Sequence, residues 1–260
     1  MKKYYLVLIF ILTALSGCST LNTDPIPEPE ESWSVERIYS EATKALEYED
    51  YEKAIKYFGL IEARFPFGEY AQQSLMDSAY THYKADEPEK ALAEIDRFIR
   101  VYPLNPKLDY AIYLRGLINF TRDIGIIEKY VPRDETQRDP GSAQFALQDF
   151  TKLINRYPTS QYSEDASQRI VYLRNRLAQH EVNVAHFYLR RGAYVAALNR
   201  GKYVIENYQR TPAMPEALFL TAKAYKILGL QDLSEDTARV LEINYPQHPG
   251  LDSLRKITLE

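Results

Sequence analysis

The stretch AIKYFGLIEARFP, residues 54–66, decides the fold of this chain because its spacing of small, apolar and aromatic residues recurs four more times. Positions 0, 4, 7 and 11 of the spacing share one face of an α-helix, and the proline that usually follows cannot continue that helix. Each copy therefore predicts one amphipathic helix with a defined end. The five copies are Ala54, Phe58, Ile61, Phe65 and Pro66; Ala91, Ile95, Phe98, Tyr102 and Pro103; Ala146, Phe150, Leu153, Tyr157 and Pro158; Ala197, Gly201, Val204, Tyr208 and Gln209; and Ser234, Ala238, Leu241, Tyr245 and Pro246.

A second small residue stands twelve positions before the start of four copies, at Ala42, Ala79, Ala185 and Ala222. Two small side chains separated by a turn allow paired antiparallel helices to approach closely. This arrangement resembles the tetratricopeptide repeat, whose stacked helix pairs form a superhelix with an extended concave face. We therefore predict an all-α fold, a superhelix of five tetratricopeptide-like helix pairs that binds segments of other proteins.

The five repeats end near residues 66, 103, 158, 209 and 246, so the third and fourth are longer than the others. If Gly116 is the small residue of the third repeat, its extra residues form an insertion at 121–142, which contains Gly125, Pro132 and Pro140. The fourth repeat can absorb its extra residues in one long helix. The predicted helices are 34–48, 51–65, 69–84, 88–101, 107–120, 142–156, 160–191, 194–208, 214–229 and 232–244.

The N-terminus reads as an export signal, residues 1–17, with Lys2 and Lys3 before an apolar run. It ends in LSGC, residues 15–18, which resembles the bacterial lipobox and predicts lipid attachment to Cys18, the only cysteine. The alternative is an ordinary secretory signal with a chance cysteine. Residues 18–31 are then the lipidated cysteine and a proline-rich tether, and residues 32–260 form a single repeat domain.

Resemblance to bacterial lipoproteins assigns a localisation, because Ser19 replaces the aspartate that favours retention in the inner membrane. The resemblance implies an outer-membrane protein that is anchored by lipid and faces the periplasm. Cleavage after residue 17 changes the formal net charge from −4 to −6 because it removes Lys2 and Lys3. This acidic balance gives no indication of nucleic-acid binding.

The sequence offers little for catalysis. His82, His180, His186 and His248 have no metal-ligand spacing, and no phosphate-binding glycine loop or nucleophile elbow is present. We therefore predict no enzyme activity, no catalytic residue, no cofactor and no metal site. The enzyme alternative is a peptidoglycan-cleaving helical scaffold whose catalytic glutamate would be Glu31, which stands beside Ser32 at the end of the predicted tether.

Several strings that the packing rule does not require resemble one family over the whole mature chain. With the lipobox, their order and spacing resemble the BamD family, lipoproteins of the outer-membrane β-barrel assembly machinery. The strings are RFPFGEY at 64–70 with QQ at 72–73, DRFIR at 96–100, YLRGL at 113–117, RDP at 138–140, SQY at 160–162, and RGA at 191–193 continuing to NR at 199–200.

The resemblance implies a non-enzymatic scaffold with two kinds of protein partner. Its C-terminal repeats would dock on the periplasmic POTRA region of BamA, with Arg200 as the coupling residue and Asn199 beside it, and other lipoproteins of the complex would join them. A planar guanidinium suits a bidentate hydrogen-bonded contact with a carboxylate. The alternative for Arg200 is a solvated helix face.

The family's N-terminal repeats are proposed to receive the C-terminal segments of unfolded outer-membrane proteins. Such a segment is extended and ends in an aromatic residue and a carboxylate, so it needs an apolar pocket beside a cation. Arg64, Phe67, Tyr70 and Arg97 are the candidates. The alternative function is a generic tetratricopeptide lipoprotein that coordinates envelope or peptidoglycan processes through another partner.

Overall fold

The computed structural model describes residues 30–122 and 140–256, in which eleven α-helices and one short 3-10 helix occur and no strand. The ten predicted helices are all present, with bounds within three residues of those expected, so the all-α repeat fold is confirmed. Cys18, residues 1–29 and most of the predicted insertion, 123–139, lie outside the described residues. The helices are α1 Val35–Glu47, α2 Tyr51–Arg64, α3 Glu69–Lys84, α4 Pro88–Val101, α5 Leu108–Thr121, α6 Gly141–Arg156, α7 Ser163–Arg190, α8 Tyr194–Asn207, α9 Met214–Ile227, α10 Gln231–Asn244 and α11 Gly250–Lys256; the 3-10 turn is Glu30–Ser32.

The second helix of every repeat ends at the aromatic residue of the pattern. In each case the backbone N–H of that residue donates to the carbonyl four residues earlier, as Phe65 does to Ile61 at 2.7 Å, and its backbone then leaves the helical region. A residue before proline avoids helical geometry. Tyr208 adopts a similar conformation although Gln209 follows it, so the stop does not depend on proline alone.

The small residues lie where the paired helices cross. Ala42 and Ala54 are fully buried between α1 and α2, and the equivalent alanines of the second repeat are buried in the same way. A Cβ added to Gly116 would lie 2.6 Å from the ring of Phe150, so only glycine fits between α5 and α6. This contact confirms Gly116 as the small residue of the third repeat.

The fifth repeat carries serine at its small position and adapts to the hydroxyl. The Ser234 Oγ donates a hydrogen bond of 2.9 Å to the carbonyl oxygen of Ala222 on α9, and Ser234 stays buried.

The helix α11, which the sequence analysis missed, covers the end of the stack. Its first residue, Gly250, lies so close to the ring of Phe219 that a Cβ would be 2.4 Å away.

The long helix α7 joins the third repeat to the fourth. It contains 28 residues and is about 42 Å long, and it packs on α6, α8 and α9. The expected long helix at 160–191 is therefore confirmed. One continuous core cluster runs from Leu75 on α3, in the second repeat, to Leu220 on α9, in the fifth, whereas the first repeat has a separate cluster around Phe58.

A charged network crosses the second and third repeats. Arg115 on α5 bonds to Asp149 on α6 through Nε at 3.1 Å and through a shorter bond from Nη2, and its Nη1 bonds to Asp96 on α4 at 2.8 Å. Asn119 donates to the same Asp149 carboxylate at 3.4 Å. Burial raises the pKa of Asp149, and the hydrogen bonds from Arg115 oppose that rise. The arginine thus keeps a buried carboxylate compensated where three helices meet.

Replacing Arg115 with alanine should lower the free energy of unfolding by about 3–5 kcal/mol, because the Asp149 carboxylate stays buried without its cation. The folded variant should bind a proton at Asp149 more tightly than the unfolded chain does, so lowering the pH favours folding. The deficit against wild type should shrink as the pH falls from neutral toward about 4, the ordinary pKa of an aspartate. Denaturant unfolding at several pH values measures this difference in the free energy of unfolding. The control is the double variant Arg115→Ala with Asp149→Asn, which has no carboxyl group at position 149 and should lose this pH dependence. If the stability deficit of Arg115→Ala did not change over this pH range, Arg115 would not be the group that compensates Asp149.

Candidate functional site

Arg64 holds the beginning of the described chain against the end of α2. Its Nη1 donates to the carbonyl of Glu30 and its Nη2 to the carbonyl of Trp33, both at 3.0 Å. Glu30 also accepts a bond of 2.7 Å from the Lys56 ammonium, and this bond lowers the pKa of the Glu30 carboxyl. Among the described residues, Glu30 already contacts the body, two residues before the predicted domain start at 32.

Arg97 on α4 forms a bidentate ion pair with Glu62 on α2. Its Nη2 lies 2.7 Å from one carboxylate oxygen, and its Nη1 makes a shorter bond to the other. The hydrogen bonds from Arg97 lower the pKa of Glu62. Both side chains remain partly exposed, so this pair links the first two repeats at the surface of the stack.

The other two candidates have different surroundings. Tyr70 packs edge-on against Tyr39 of α1, with ring centroids 5.3 Å apart, and lines a groove formed by α1, α3, α4 and the turn before α5. Phe67 is 89% exposed and is not among the lining residues, and neither Arg64 nor Arg97 lines the groove. The structure therefore brings one of the four candidates, Tyr70, into the groove.

The groove has a volume of about 630 Å³, an apolar floor and an amide-rich rim. Lys107 supplies a cation at this rim, with its ammonium 2.6 Å from the side-chain oxygen of Gln73. The sequence analysis missed Lys107, although the QQ string quoted above marked the opposite wall. The lining residues are Tyr39, Glu69, Tyr70, Gln72, Gln73, Met76, Phe98, Asn105, Pro106 and Lys107.

Partly buried hydrogen bonds fix one wall of the groove. The Tyr39 hydroxyl donates to one oxygen of Asp77 at 2.8 Å, and the Gln73 amide donates to the other at 2.7 Å. Burial raises the pKa of Asp77, and burial near that carboxylate also raises the pKa of Tyr39. On the opposite side the Asn105 amide donates to Gln72 at 2.7 Å. These bonds hold the side-chain amides of Gln72, Gln73 and Asn105 in place where they line the groove.

Arg200 lies on α8 and is paired within the chain. Its Nη1 donates a bond of 3.0 Å to Glu181 on α7, whose side chain is 6% exposed, whereas the Arg200 side chain is 45% exposed. Asn199 and Tyr203 on the same helix are also exposed. The guanidinium therefore compensates a buried carboxylate and still reaches the surface. Sequence reasoning missed Glu181 because it lies on a different helix.

The last repeat exposes an apolar face. Leu233, Val240 and Ile243 are 47%, 46% and 73% exposed, and their spacing of seven and then three residues places them on one side of α10. An apolar stripe on the outermost pair of a helical stack is a surface suited to another protein.

Three of the four histidines lie beside carboxylates. The rings of His186 and His248 approach the two oxygens of Glu216 at 2.8 and 3.1 Å, and His82 lies 2.6 Å from Glu87. In residues 30–122 and 140–256 no group of three histidine, cysteine, aspartate or glutamate residues is placed to hold a metal ion. Within the same residues no helix combines the length and apolar character needed to cross a bilayer.

Comparison with known proteins gives a consistent result over nearly the whole chain. A family described as outer membrane lipoprotein, YfiO, matches residues 32–241. A Neisseria meningitidis serogroup B protein named "Outer membrane protein assembly factor BamD" is 44% identical over 96% of this chain and 94% of its own length. The chain belongs to the BamD family. Proteins of the same name from Vibrio cholerae and Haemophilus influenzae are 37% and 33% identical, covering 94% and 92% of this chain and 99% and 89% of their own.

Solved helical-repeat structures resemble this BamD-family chain only distantly. The crystal structure of MamA covers 87% of this chain and 97% of its own, at 15% identity and a TM-score of 0.35. The tetratricopeptide domain of P58(IPK) covers 85% of this chain and 65% of its own, at 13% identity and a TM-score of 0.40.

Arg200→Ala should lower the free energy of unfolding by roughly 1–3 kcal/mol, because the carboxylate of Glu181 stays buried without its hydrogen-bond donor. Adding Glu181→Gln should recover part of this loss, since a neutral amide costs less to bury than an unpaired charge. Denaturant unfolding of both single variants and the double variant measures the coupling. Strictly additive effects would show that the ion pair contributes nothing to stability.

Proposed function

We propose that this chain is a lipid-anchored, non-enzymatic scaffold of the outer-membrane protein assembly machinery. The observation that carries the proposal is its BamD-family membership, with relatives named as assembly factors aligned over nearly the full length of both chains. Cys18 carries the lipid and holds the body on the periplasmic face of the outer membrane. Other lipoproteins of the complex share the scaffold, which uses no cofactor, metal or nucleic acid.

The C-terminal repeats dock on the periplasmic POTRA region of BamA. The exposed half of Arg200, with Tyr203 one turn further along α8 and Asn199 beside it, supports this role. Arginine and tyrosine dominate the energetics of many protein interfaces. The exposed apolar face of α10 offers further area in the last repeat.

The experiment is co-purification of the chain with the periplasmic region of BamA from the same organism. The Arg200→Ala variant alone is ambiguous, because it also leaves Glu181 uncompensated. Arg200→Ala combined with Glu181→Gln separates the two effects, since it removes the proposed contact and the buried charge together. We expect this double variant to fold and to bind BamA at least tenfold more weakly, corresponding to about 1.4 kcal/mol.

Two controls make the result decisive. Glu181→Gln alone should retain binding, and Lys202→Ala should too, because Lys202 is exposed on α8 but is not part of the proposed contact. Undiminished binding by the double variant would remove Arg200 from the interface. Failure of the folded wild-type chain to bind BamA would favour a tetratricopeptide lipoprotein that serves another partner.

The first two repeats receive C-terminal segments of unfolded outer-membrane proteins in the groove beside Tyr70. An apolar floor of Met76 and Phe98, amides on the rim and the Lys107 ammonium support an extended ligand with an aromatic residue and a terminal carboxylate. Phe67, Arg64 and Arg97 were also expected to form this site, and they lie outside the groove lining.

Lys107→Ala should weaken binding of a peptide with a free C-terminal carboxylate by about threefold to tenfold and should not affect the same peptide with a C-terminal amide. Tyr70→Ala should weaken both peptides because it removes apolar surface. Fluorescence anisotropy with labelled peptides measures both effects. The matched control is Lys90→Ala, an exposed lysine of α4 that is paired with Glu87. Equal affinity of wild type and Lys107→Ala for the carboxylate peptide would contradict this site.

A further inference from the structure

The turn that closes each repeat has an equivalent residue, one position after the proline or glutamine of the pattern. In the first two repeats this residue is apolar, and in the other three it is polar. All five are exposed. The five residues are Phe67, Leu104, Thr159, Arg210 and Gln247.

Phe67 and Leu104 are exposed far more than packing would leave them, at 89% and 92%. Single exposed apolar residues are common on protein surfaces. Here the two occupy the same position in neighbouring repeats, and their turns adjoin. The Leu104 turn is bonded to the first turns of α3 through Asn105 and Gln72 at 2.7 Å, and α3 begins directly after Phe67 and Gly68.

The predicted tether reaches the body at this same edge. Arg64, three residues before Phe67, holds the carbonyls of Glu30 and Trp33. Cys18 lies twelve residues before Glu30, and twelve residues span at most about 43 Å. A lipid on Cys18 would therefore keep this edge of the body within about 43 Å of the bilayer, close enough for contact. The polar turns belong to the third, fourth and fifth repeats, further along the stack from the tether.

We propose that Phe67 and Leu104 insert into the membrane interface and orient the first two repeats against the bilayer. The proposal rests on the anchor at Cys18 in the proposed function. Aromatic and aliphatic side chains on a protein surface bury in the interface between headgroups and acyl chains. Arg100 is exposed near the Leu104 turn and suits anionic headgroups, whereas the exposed Glu69 and the partly exposed Glu30, which pairs with Lys56, are acidic groups at the same edge.

The bilayer fits these two residues better than a peptide does. Phe67 and Leu104 project from turns and do not line the groove, so a ligand seated in the groove would leave them in water. A second lipid contact also has a clear benefit for an anchored protein, since the anchor alone fixes position but leaves the body free to rotate.

The experiment uses the full lipidated chain, in which Cys18 is acylated and no other cysteine exists. Single cysteines at positions 67, 104, 159 and 247 carry an environment-sensitive fluorophore. The lipoproteins are reconstituted in vesicles of phosphatidylethanolamine and phosphatidylglycerol, with and without spin-labelled lipid. We expect the spin label to quench positions 67 and 104 at least about twofold and to leave positions 159 and 247, the matched turn controls, nearly unchanged.

Other outcomes would overturn the proposal. Equal quenching at all four positions, or none at 67 and 104, would exclude selective insertion of this edge. Fluorophores at 67 and 104 that are shielded from water but not quenched by lipid would indicate a protein contact instead. These readouts are independent of BamA. Quenching of 67 and 104 together with failed co-purification would reject the proposed BamA partner and leave the membrane contact standing.

Discussion

The close approach of paired helices at small residues is the constraint on which the rest of the structure depends. Where Gly116 faces Phe150, or Ala42 and Ala54 are buried between α1 and α2, the helix backbones approach closely enough to bury the aliphatic and aromatic residues beside them. A larger side chain at such a crossing would have to displace its neighbour at a cost of about 1–3 kcal/mol. The spacing of these crossings along the chain determines how the helix pairs stack. The stacking in turn determines which side chains lie on the surface.

Much of this fold could be predicted because the information is local. The apolar face of each helix and the aromatic residue that ends it are read directly from the spacing of one chain segment, and even the long helix followed from an excess of residues without a breaker. The helix α11 was missed because seven residues carry too little periodicity, and its position depends on Gly250 meeting Phe219 across the stack.

The binding sites were harder to predict because they arise between helices. Arg200 could be selected by resemblance, but its buried partner Glu181 lies nineteen residues away on α7, where no sequence rule marks it. Lys107 reaches the groove only because the turn before α5 folds against α3. Arg64 and Arg97 are cations near the groove in sequence, yet the carbonyls of Glu30 and Trp33 hold one and the carboxylate of Glu62 holds the other. Charge in a sequence does not reveal which groups it compensates.

The long helix α7 has a mechanical consequence. Because α7 packs in both the third and the fourth repeat, no hinge separates these repeats. They must therefore tilt together as a rigid unit along a helix about 42 Å long. The continuous core around α7 extends back to α3, whereas the first repeat packs around a core of its own. Bending of the superhelix should therefore be smallest where α7 spans the third and fourth repeats. A displacement of the fourth repeat is then carried along α7 to the third repeat instead of being absorbed at a joint between them.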